Sequence, residues 1–385
     1  MNREHYMYVS SWKEHGGTPG LSVYRFDEET GEIVFLKQLD QKDSVNCSCV
    51  VAGVNRMYLC NEVVQTGREA PSGGRIFVYE LNPANGDARR SAAVFTECPN
   101  PAYVELDPTG QYLVAAHHSI TKRTIRHRRA TDGMIESVVE NAEADVQLWH
   151  LNEEGIPDCL LDNIDHAAQL GETGEAHPHC CVFSPSGELI AVADKGTGML
   201  RMYTIDRKRH RLRLLDQALT DREGAHPRYV VFHPDKPFLF VNHEASCDGK
   251  MYVSSFRYEA NGRLVKIATE DALEPGHAAD PDRRLEQQGF AITPDGKYLY
   301  TLLNAVDQIG VLAVDGENGS LRRIANVPVK GIWPRGMGIS PNGKFLITTC
   351  LVSGEIIPWR IGEDGLLTQA GEGAVQKGAS YLSFF

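Results

Sequence analysis

The sequence predicts an all-β protein, a seven-bladed β-propeller with four antiparallel strands in each blade. Two short phrases alternate along the 385 residues, and each phrase is a pair of strand-like apolar runs around a polar turn. Helical periodicity of any length is absent. Because one copy of each phrase supplies four short strands joined by hairpins, one pair of phrases is equivalent to one propeller blade.

The first phrase is an alternating apolar run, a turn that contains Pro and in most copies Gly, and a second apolar run. Its spacing is about 50 to 60 residues, as expected for blades, once a polar insertion near residues 118–144 is left out of the first interval. It reads PAYVELDPTGQYLVAAH, PHCCVFSPSGELIAVAD, PRYVVFHPDKPFLFVNHE, QGFAITPDGKYLYTLLN and PRGMGISPNGKFLITTC, with a weaker copy, NCSCVVAGVNRMYLCNE.

The second phrase is a strand that ends near an aromatic residue, an acidic or polar turn with Gly, and another strand. It recurs from LSVYRFDEETGEIVFLKQ to EIIPWRIGEDGLLTQ. Complete pairs leave half a blade at each end of the chain, HYMYVSSW at the N-terminus and YLSFF at the C-terminus. A C-terminal strand that joins the N-terminal blade would hide both sheet edges. We therefore expect residues 1–385 to form a single propeller domain.

The composition is that of a soluble globular protein, with 42% hydrophobic and 23% charged residues. A net charge of -12 argues against nucleic-acid binding, and no apolar run of about 18 residues predicts a membrane span. The nine cysteines are spread without a framework spacing, which favours reduced thiols. These features predict a cytoplasmic protein and leave its oligomeric state open.

Candidate site residues appear when the first-phrase copies are aligned on the residue before the turn proline. Five positions earlier, where the first strand of each blade meets the mouth of the channel, the aligned residues are Ala102, His179, Arg228, Gln288 and Arg335, with Cys47 in the weak copy. A position repeated for structure alone should hold similar residues, yet three blades place a His and two Arg there. The blades are radial, so these side chains should converge.

The ends of the second strands reach the same face. They bring Glu244 from the blade of Arg228, together with Ser11-Trp12, Asn61-Glu62, His117-His118, Asp194-Lys195 and Asn304. Two guanidinium groups would bind a carboxylate or phosphate. A neutral imidazole can exchange a proton near pH 7, and Glu244 could orient it, compensate an Arg or serve as a second acid or base. His177, Gln288, His226 and His243 are candidates for substrate binding or support.

A metal site is an alternative reading of the same histidines. His177 and His179 are two apart on a strand and so share a face, and Glu244 could complete a ligand set. A His-x-His pair without further fixed spacing is a weak metal signal, however. We therefore predict no metal and no cofactor.

The insertion of about residues 118–144 leaves the end of a second strand, so it belongs to the same face. It carries five cations within a short stretch: Lys122, Arg123, Arg126, Arg128 and Arg129. It could be a solvated loop, a lid that attracts an anionic substrate, or an oligomer contact.

Three phrases, PHCCVFSPSGELIAVAD, AHPRYVVFHPDKPFLFVNHE and WPRGMGISPNGKFL, resemble the seven-bladed lactonase family, which includes propeller-type 6-phosphogluconolactonases and carboxy-cis,cis-muconate lactonizing enzymes. The resemblance spans essentially the whole chain. It implies a metal-free active site of a His, two Arg and a Glu, which fall by motif on His179, Arg228, Arg335 and Glu244. The Asn-Glu pair usual in the family is here Asn242-His243-Glu244, and the basic insertion is not part of the family pattern.

Three functions follow as hypotheses. The first is hydrolysis of an aldonolactone, with or without a phosphate group, in which His179 or Glu244 activates water and the Arg side chains bind the anionic substrate. The second is cycloisomerisation of a carboxymuconate. The third is a non-catalytic propeller that binds a protein partner, which predicts exposed rim aromatics, with Trp12 and Trp333 as the tryptophan candidates.

Overall fold

The computed structural model describes residues 4–12, 20–39, 47–51, 55–62, 74–96, 98–118, 123–141, 144–169, 175–221, 225–245 and 248–385. Within these ranges the regular secondary structure is almost entirely β-strand, with one turn of 3₁₀ helix at Ala167–Gln169. The described residues contain no helix that is long and apolar enough to cross a membrane.

The strands are named in chain order and group into seven blades. Blades 1 and 2 comprise β1 (Glu4–Ser11), β2 (Gly20–Asp27) and β3 (Ile33–Leu39), then β4 (Cys47–Val51), β5 (Arg56–Asn61), β6 (Arg75–Leu81) and β7 (Ala88–Phe95). Blade 3, interrupted by a hairpin, comprises β8 (Pro101–Leu106), β9 (Tyr112–His117), the hairpin strands β10 (Arg123–Arg129) and β11 (Ile135–Asn141), then β12 (Asp145–Leu151) and β13 (Pro157–Asp165). Blade 4 comprises β14 (Pro178–Phe183), β15 (Ile190–Asp194), β16 (Met199–Asp206) and β17 (Arg211–Leu219).

The remaining blades repeat the same order. Blade 5 comprises β18 (Pro227–Phe232), β19 (Phe238–His243), β20 (Tyr252–Tyr258) and β21 (Leu264–Asp271). Blade 6 comprises β22 (Gln287–Ile292), β23 (Tyr298–Leu303), β24 (Gln308–Val314) and β25 (Leu321–Pro328). Blade 7 comprises β26 (Pro334–Ile339), β27 (Phe345–Cys350), β28 (Glu355–Ile361), the short β29 (Leu367–Gln369) and β30 (Ala374–Val375), and the chain ends with β31 (Ala379–Phe384).

The predicted fold is confirmed, including its closure. The last strand, β31, pairs antiparallel with β1, so blade 1 is built from both ends of the chain. Main-chain hydrogen bonds in both directions join Tyr6 and Phe385, at 3.1 and 2.8 Å. This pairing satisfies backbone groups that would otherwise be exposed sheet edges.

Apolar layers between neighbouring blades form the core. Each of seven clusters of buried side chains draws on two adjacent blades, and one of them joins blade 7 to blade 1. In that layer Phe26 and Phe345 meet edge to face, with ring centroids 5.5 Å apart. The hydrophobic driving force therefore fixes the blades to one another and leaves the inner strands free to face the channel.

In blades 3 to 7 the hairpin turn between the first and second strands is closed by the residue before its proline. The side-chain oxygens of Ser184, Thr293 and Ser340 accept the main-chain N–H five positions later, at 3.0 to 3.2 Å. At the equivalent place His233 Nδ1 accepts the N–H groups of Asp235 and Lys236. His233 is thus occupied at the turn face, opposite the candidate site.

A β-bulge near the start of the inner strand sets the direction of the candidate side chains. In blade 4 the register runs from Pro178 opposite Asp194 to Cys180 opposite Ala193, which leaves His179 as the extra residue. The same shift frees Arg228, Gln288 and Arg335 in blades 5, 6 and 7. Because a bulged residue leaves the alternation of the strand, its side chain can be aimed into the mouth.

The insertion in blade 3 is a two-stranded sheet of its own, β10 paired with β11. Arg128 donates a 2.6 Å hydrogen bond to Glu136 across the pair. The tip exposes Met134 and Ile135 to solvent. Lys122 lies outside the described residues.

Candidate active site

The centre of the candidate site is the carboxylate of Glu244, which lies between two cations. Arg228 Nη1 donates to Glu244 Oε2, and Lys195 Nζ donates to Glu244 Oε1 at 2.5 Å. Arg228 and Glu244 are buried, with side chains 6% and 5% exposed. Burial alone would raise the pKa of Glu244, but Arg228 and Lys195 outweigh it and hold that pKa well below its usual range. Glu244 is therefore a firmly ionised anchor and a poor proton acceptor.

His179 lies beside this ion pair, in contact with the ring of Tyr229. The two rings meet edge to face with centroids 5.2 Å apart, and the guanidinium carbon of Arg228 lies 5.1 Å from the centroid of the Tyr229 ring. His179 is buried, and its Nδ1 has no hydrogen-bond partner among the described residues. Burial and the positive charge of Arg228 lower the pKa of His179 well below its ordinary value. The imidazole is therefore neutral near pH 7.

Arg335 completes the cationic side of the mouth. Its Nη1 donates to Gln288 Oε1 at 3.3 Å, and its guanidinium lies 4.0 Å from the centroid of the Trp12 ring. Gln288 in turn donates to Glu286 Oε2 at 3.1 Å. Burial and the neighbouring Arg228 lower the pKa of Arg335. Trp12 is thus engaged by Arg335, which weakens the expectation that it is a free aromatic for a protein partner.

The strand that carries Arg335 enters the site through a strained backbone. Trp333 has φ of 65°, in the left-handed region that non-glycine residues rarely adopt. Its N–H donates to Asp307 Oδ1 at 2.9 Å, and Arg283 holds the same carboxylate with bonds of 2.9 and 2.7 Å. The ion pair therefore fixes the main chain two residues before Arg335.

The remaining candidates lie around this centre with different partners. His177 Nδ1 donates to the carbonyl of His118 at 2.6 Å, and His226 Nδ1 donates to the carbonyl of Lys195 at 3.0 Å. Both rings therefore brace the loops that follow the second strands. His243 is buried, and its Nε2 bonds to Ser254 Oγ at 3.0 Å within blade 5, which favours a structural role for it.

The structure adds two charged residues to which the sequence analysis gave no role, Lys195 and Glu62. The charge of Glu62 interacts with Arg335, Arg228 and Lys195, and burial nevertheless raises its pKa. A usable signal was present in the sequence, because both residues directly follow a second strand, as Glu244 does. Lys195 and Glu62 approach Glu244 only because neighbouring blades are rotated in a particular way, and no local sequence pattern predicts that rotation.

The histidines do not converge as a metal ligand set. His118 stacks on His177 with centroids 4.8 Å apart and meets His179 edge to face at 5.5 Å. Rings packed against one another in this way do not direct three nitrogens to one point. Among the described residues no group of three or more His, Cys, Asp or Glu side chains is placed to hold an ion. The arrangement is suited to binding an anion beside a neutral base.

Comparison with known proteins agrees with this fold. Residues 6–384 match the family model described as "Lactonase, 7-bladed beta-propeller". A 6-phosphogluconolactonase of Formosa agariphila is 25% identical over 98% of this chain and 99% of its own length. A 6-phosphogluconolactonase of Bacillus subtilis is 24% identical over 94% of this chain and 93% of its own. The structure of a periplasmic gluconolactonase of Pseudomonas aeruginosa superposes with a TM-score of 0.81 at 21% identity, covering 99% of each chain.

Proposed function

Because this chain belongs to the seven-bladed β-propeller lactonase family, we propose that it hydrolyses a sugar lactone to the open-chain acid. The reaction would take place at the mouth occupied by His179, Arg228, Glu244 and Arg335. The observation that carries the proposal is a neutral imidazole placed beside guanidinium groups, one of which is fixed by an ionised carboxylate. The names of the relatives support the reaction class.

His179 is the proposed general base. A water oxygen attacks the lactone carbonyl carbon while the imidazole takes one of the water protons. The carbonyl oxygen gains the negative charge of the tetrahedral intermediate, and Arg228 and Arg335 stabilise it. When the bond from the carbonyl carbon to the ring oxygen breaks, the imidazolium returns the proton to that oxygen. The product is the hydroxy acid and the base is regenerated.

Glu244 serves this proposal as a positioning residue. Its two oxygens are engaged by Arg228 and Lys195, whereas His179 Nδ1 has no hydrogen-bond partner among the described residues. Water activation therefore falls to His179, and Glu244 holds the guanidinium of Arg228 in a single orientation. No metal is required in this scheme.

One panel of assays tests the reaction. Purified protein is given sugar lactones, with and without a phosphate group, in a pH-stat that records acid release, and carboxymuconates followed by loss of ultraviolet absorbance. We expect acid release from a lactone that is unaffected by a chelator. Turnover of a muconate without lactone hydrolysis would replace the proposal with a cycloisomerase, and no turnover of either would favour a binding scaffold. Loss of activity in chelator would overturn the metal-free scheme.

A further inference from the structure

Lys195 is a cation of the site that remains partly exposed to solvent. It directly follows β15 in blade 4, as Glu244 follows β19 in blade 5. Its side chain is 19% exposed, whereas the Arg228 side chain is 6% exposed. An ammonium group has three donors, and one of them is directed to Glu244 Oε1. The others are available to a ligand that enters from the channel mouth.

The main chain on both sides of Lys195 is firmly held. The Lys195 N–H donates to the His177 carbonyl at 3.0 Å, and its carbonyl accepts from His226 Nδ1 at 3.0 Å. The preceding residue, Asp194, is fully buried, and its carboxylate accepts from Arg201 Nη1 at 2.6 Å and from His166 Nδ1 at 2.9 Å. Lys195 therefore projects from a rigid base, which is a requirement for a binding residue.

The charge at the mouth is unbalanced. Arg228 and Lys195 both donate to the carboxylate of Glu244, and the neighbouring carboxylate of Asp194 is occupied by Arg201. Arg335 donates to the neutral amide of Gln288 and lies over the ring of Trp12. The second carboxylate at the mouth, Glu62, interacts with all three cations, so three cations face two carboxylates. A protein with a net charge of -12 thus gathers positive charge at this mouth. Such local inversion of sign favours an anionic ligand.

We propose that Lys195 determines specificity by binding the phosphate group of a phosphorylated sugar lactone, an inference that rests on the proposed function. His179 and Arg228 are buried, and the lactone carbonyl would react beside them. Lys195 is more exposed and would bind a distal group of the same substrate. A lysine ammonium binds phosphate as a mobile point charge and needs no planar geometry. Lactones without phosphate would bind beside His179 and Arg228 and make no contact with Lys195.

Calorimetric titration with 6-phosphogluconate and with gluconate tests the assignment without any turnover. Wild-type protein should bind the phosphorylated acid more tightly. Lys195→Met should weaken that binding roughly ten- to a hundredfold, the loss expected for one charge-assisted hydrogen bond, and should weaken gluconate binding much less, so that the preference for the phosphorylated acid is lost. Lys195→Arg, which keeps the charge, should restore most of the preference. Lys250→Met on the same face, where Lys250 is exposed, is the matched control and should change neither affinity.

Three results would overturn the assignment. Equal weakening of both acids by Lys195→Met would mean that Lys195 acts only by holding Glu244. Unchanged binding of both, or no preference for the phosphorylated acid in wild-type protein, would remove Lys195 from recognition. Hydrolysis assays separate this inference from the proposed function, because a wild-type protein that prefers 6-phosphogluconate yet hydrolyses no lactone would contradict the reaction while supporting the role of Lys195. Circular dichroism and thermal unfolding verify that each variant is folded.

Discussion

Asp307 holds the main chain of Trp333 in a left-handed conformation. The Trp333 N–H donates to Asp307 Oδ1 at 2.9 Å, and φ at Trp333 is 65°. Strain of this kind persists only where the surrounding structure imposes it, and here it lies two residues before Arg335. The ion pair of Arg283 with Asp307 therefore helps to set the orientation of the Arg335 side chain.

Asp307→Ala should misplace Arg335 and lower kcat/KM on the best lactone by roughly tenfold or more, since a small displacement of a positioning group is costly. The sharper measurement is a rescue. Glycine adopts positive φ without strain, so adding Trp333→Gly to the Asp307→Ala variant should recover part of the lost activity. Trp333→Gly alone is the control for loss of the indole. A double variant no more active than Asp307→Ala would contradict the positioning role.

Arg228→Ala and Arg335→Ala should each abolish most turnover, by about a hundredfold or more, because each removes charge stabilisation of the oxyanion. Arg228→Ala should also lower the free energy of unfolding by about 3 kcal/mol, as breaking a buried ion pair does, although Lys195 still faces Glu244. Steady-state kinetics and urea unfolding measure the two effects. Arg263→Ala, at an exposed position in blade 5, is the matched control. If both variants retain full turnover, the site assignment is wrong.

The protein should lose stability as the pH falls below about 6.5, the ordinary value for histidine. Burial lowers the pKa of His117 and of His118 to about 3, and lowers the pKa of His179 as well. A pKa lower in the folded than in the unfolded state gives stability that is complete above the unfolded value and is lost toward the folded one. Each group contributes at most about 1.4 kcal/mol per pH unit in that window. Urea unfolding at pH 7.5, 6 and 4.5 measures the slope, and equal stability at all three values would contradict it.

The affinity for an anionic substrate should fall as Glu62 ionises. Burial raises the pKa of Glu62 although Arg335 and Arg228 oppose that shift, so the neutral form persists above the usual range for a glutamate. Once ionised, Glu62 offsets the positive charge that holds the substrate. KM should therefore rise with pH in wild-type protein and rise less in Glu62→Gln, with kcat little changed. Parallel KM profiles for the two proteins would rule this effect out.

Local patterns in the sequence were sufficient for the fold. A Pro-containing turn, closed by the side chain of a preceding Ser, Thr or Asp, marks the inner hairpins of blades 3, 4, 6 and 7, and alternation of apolar residues marks the strands on either side. These signals act over a few residues and repeat along the chain. Blade number, strand order and closure by β31 follow from counting them. The same count aligned His179, Arg228 and Arg335 at one mouth.

What the tertiary structure decided is how those residues meet. The bulge that frees His179 lies within blade 4, and the pair of Arg228 with Glu244 lies within blade 5. Two contacts cross between blades: Lys195 of blade 4 donates to Glu244 of blade 5, and Trp333, which precedes β26 of blade 7, donates to Asp307 of blade 6. These two contacts depend on the rotation of one blade against the next, which is set by interblade packing and carries no local sequence signature. The sequence determined which side chains reach the mouth. Packing of the blades determined that Glu244 is held by two cations, that His179 is a buried neutral imidazole, and that Lys195 remains partly exposed beside them.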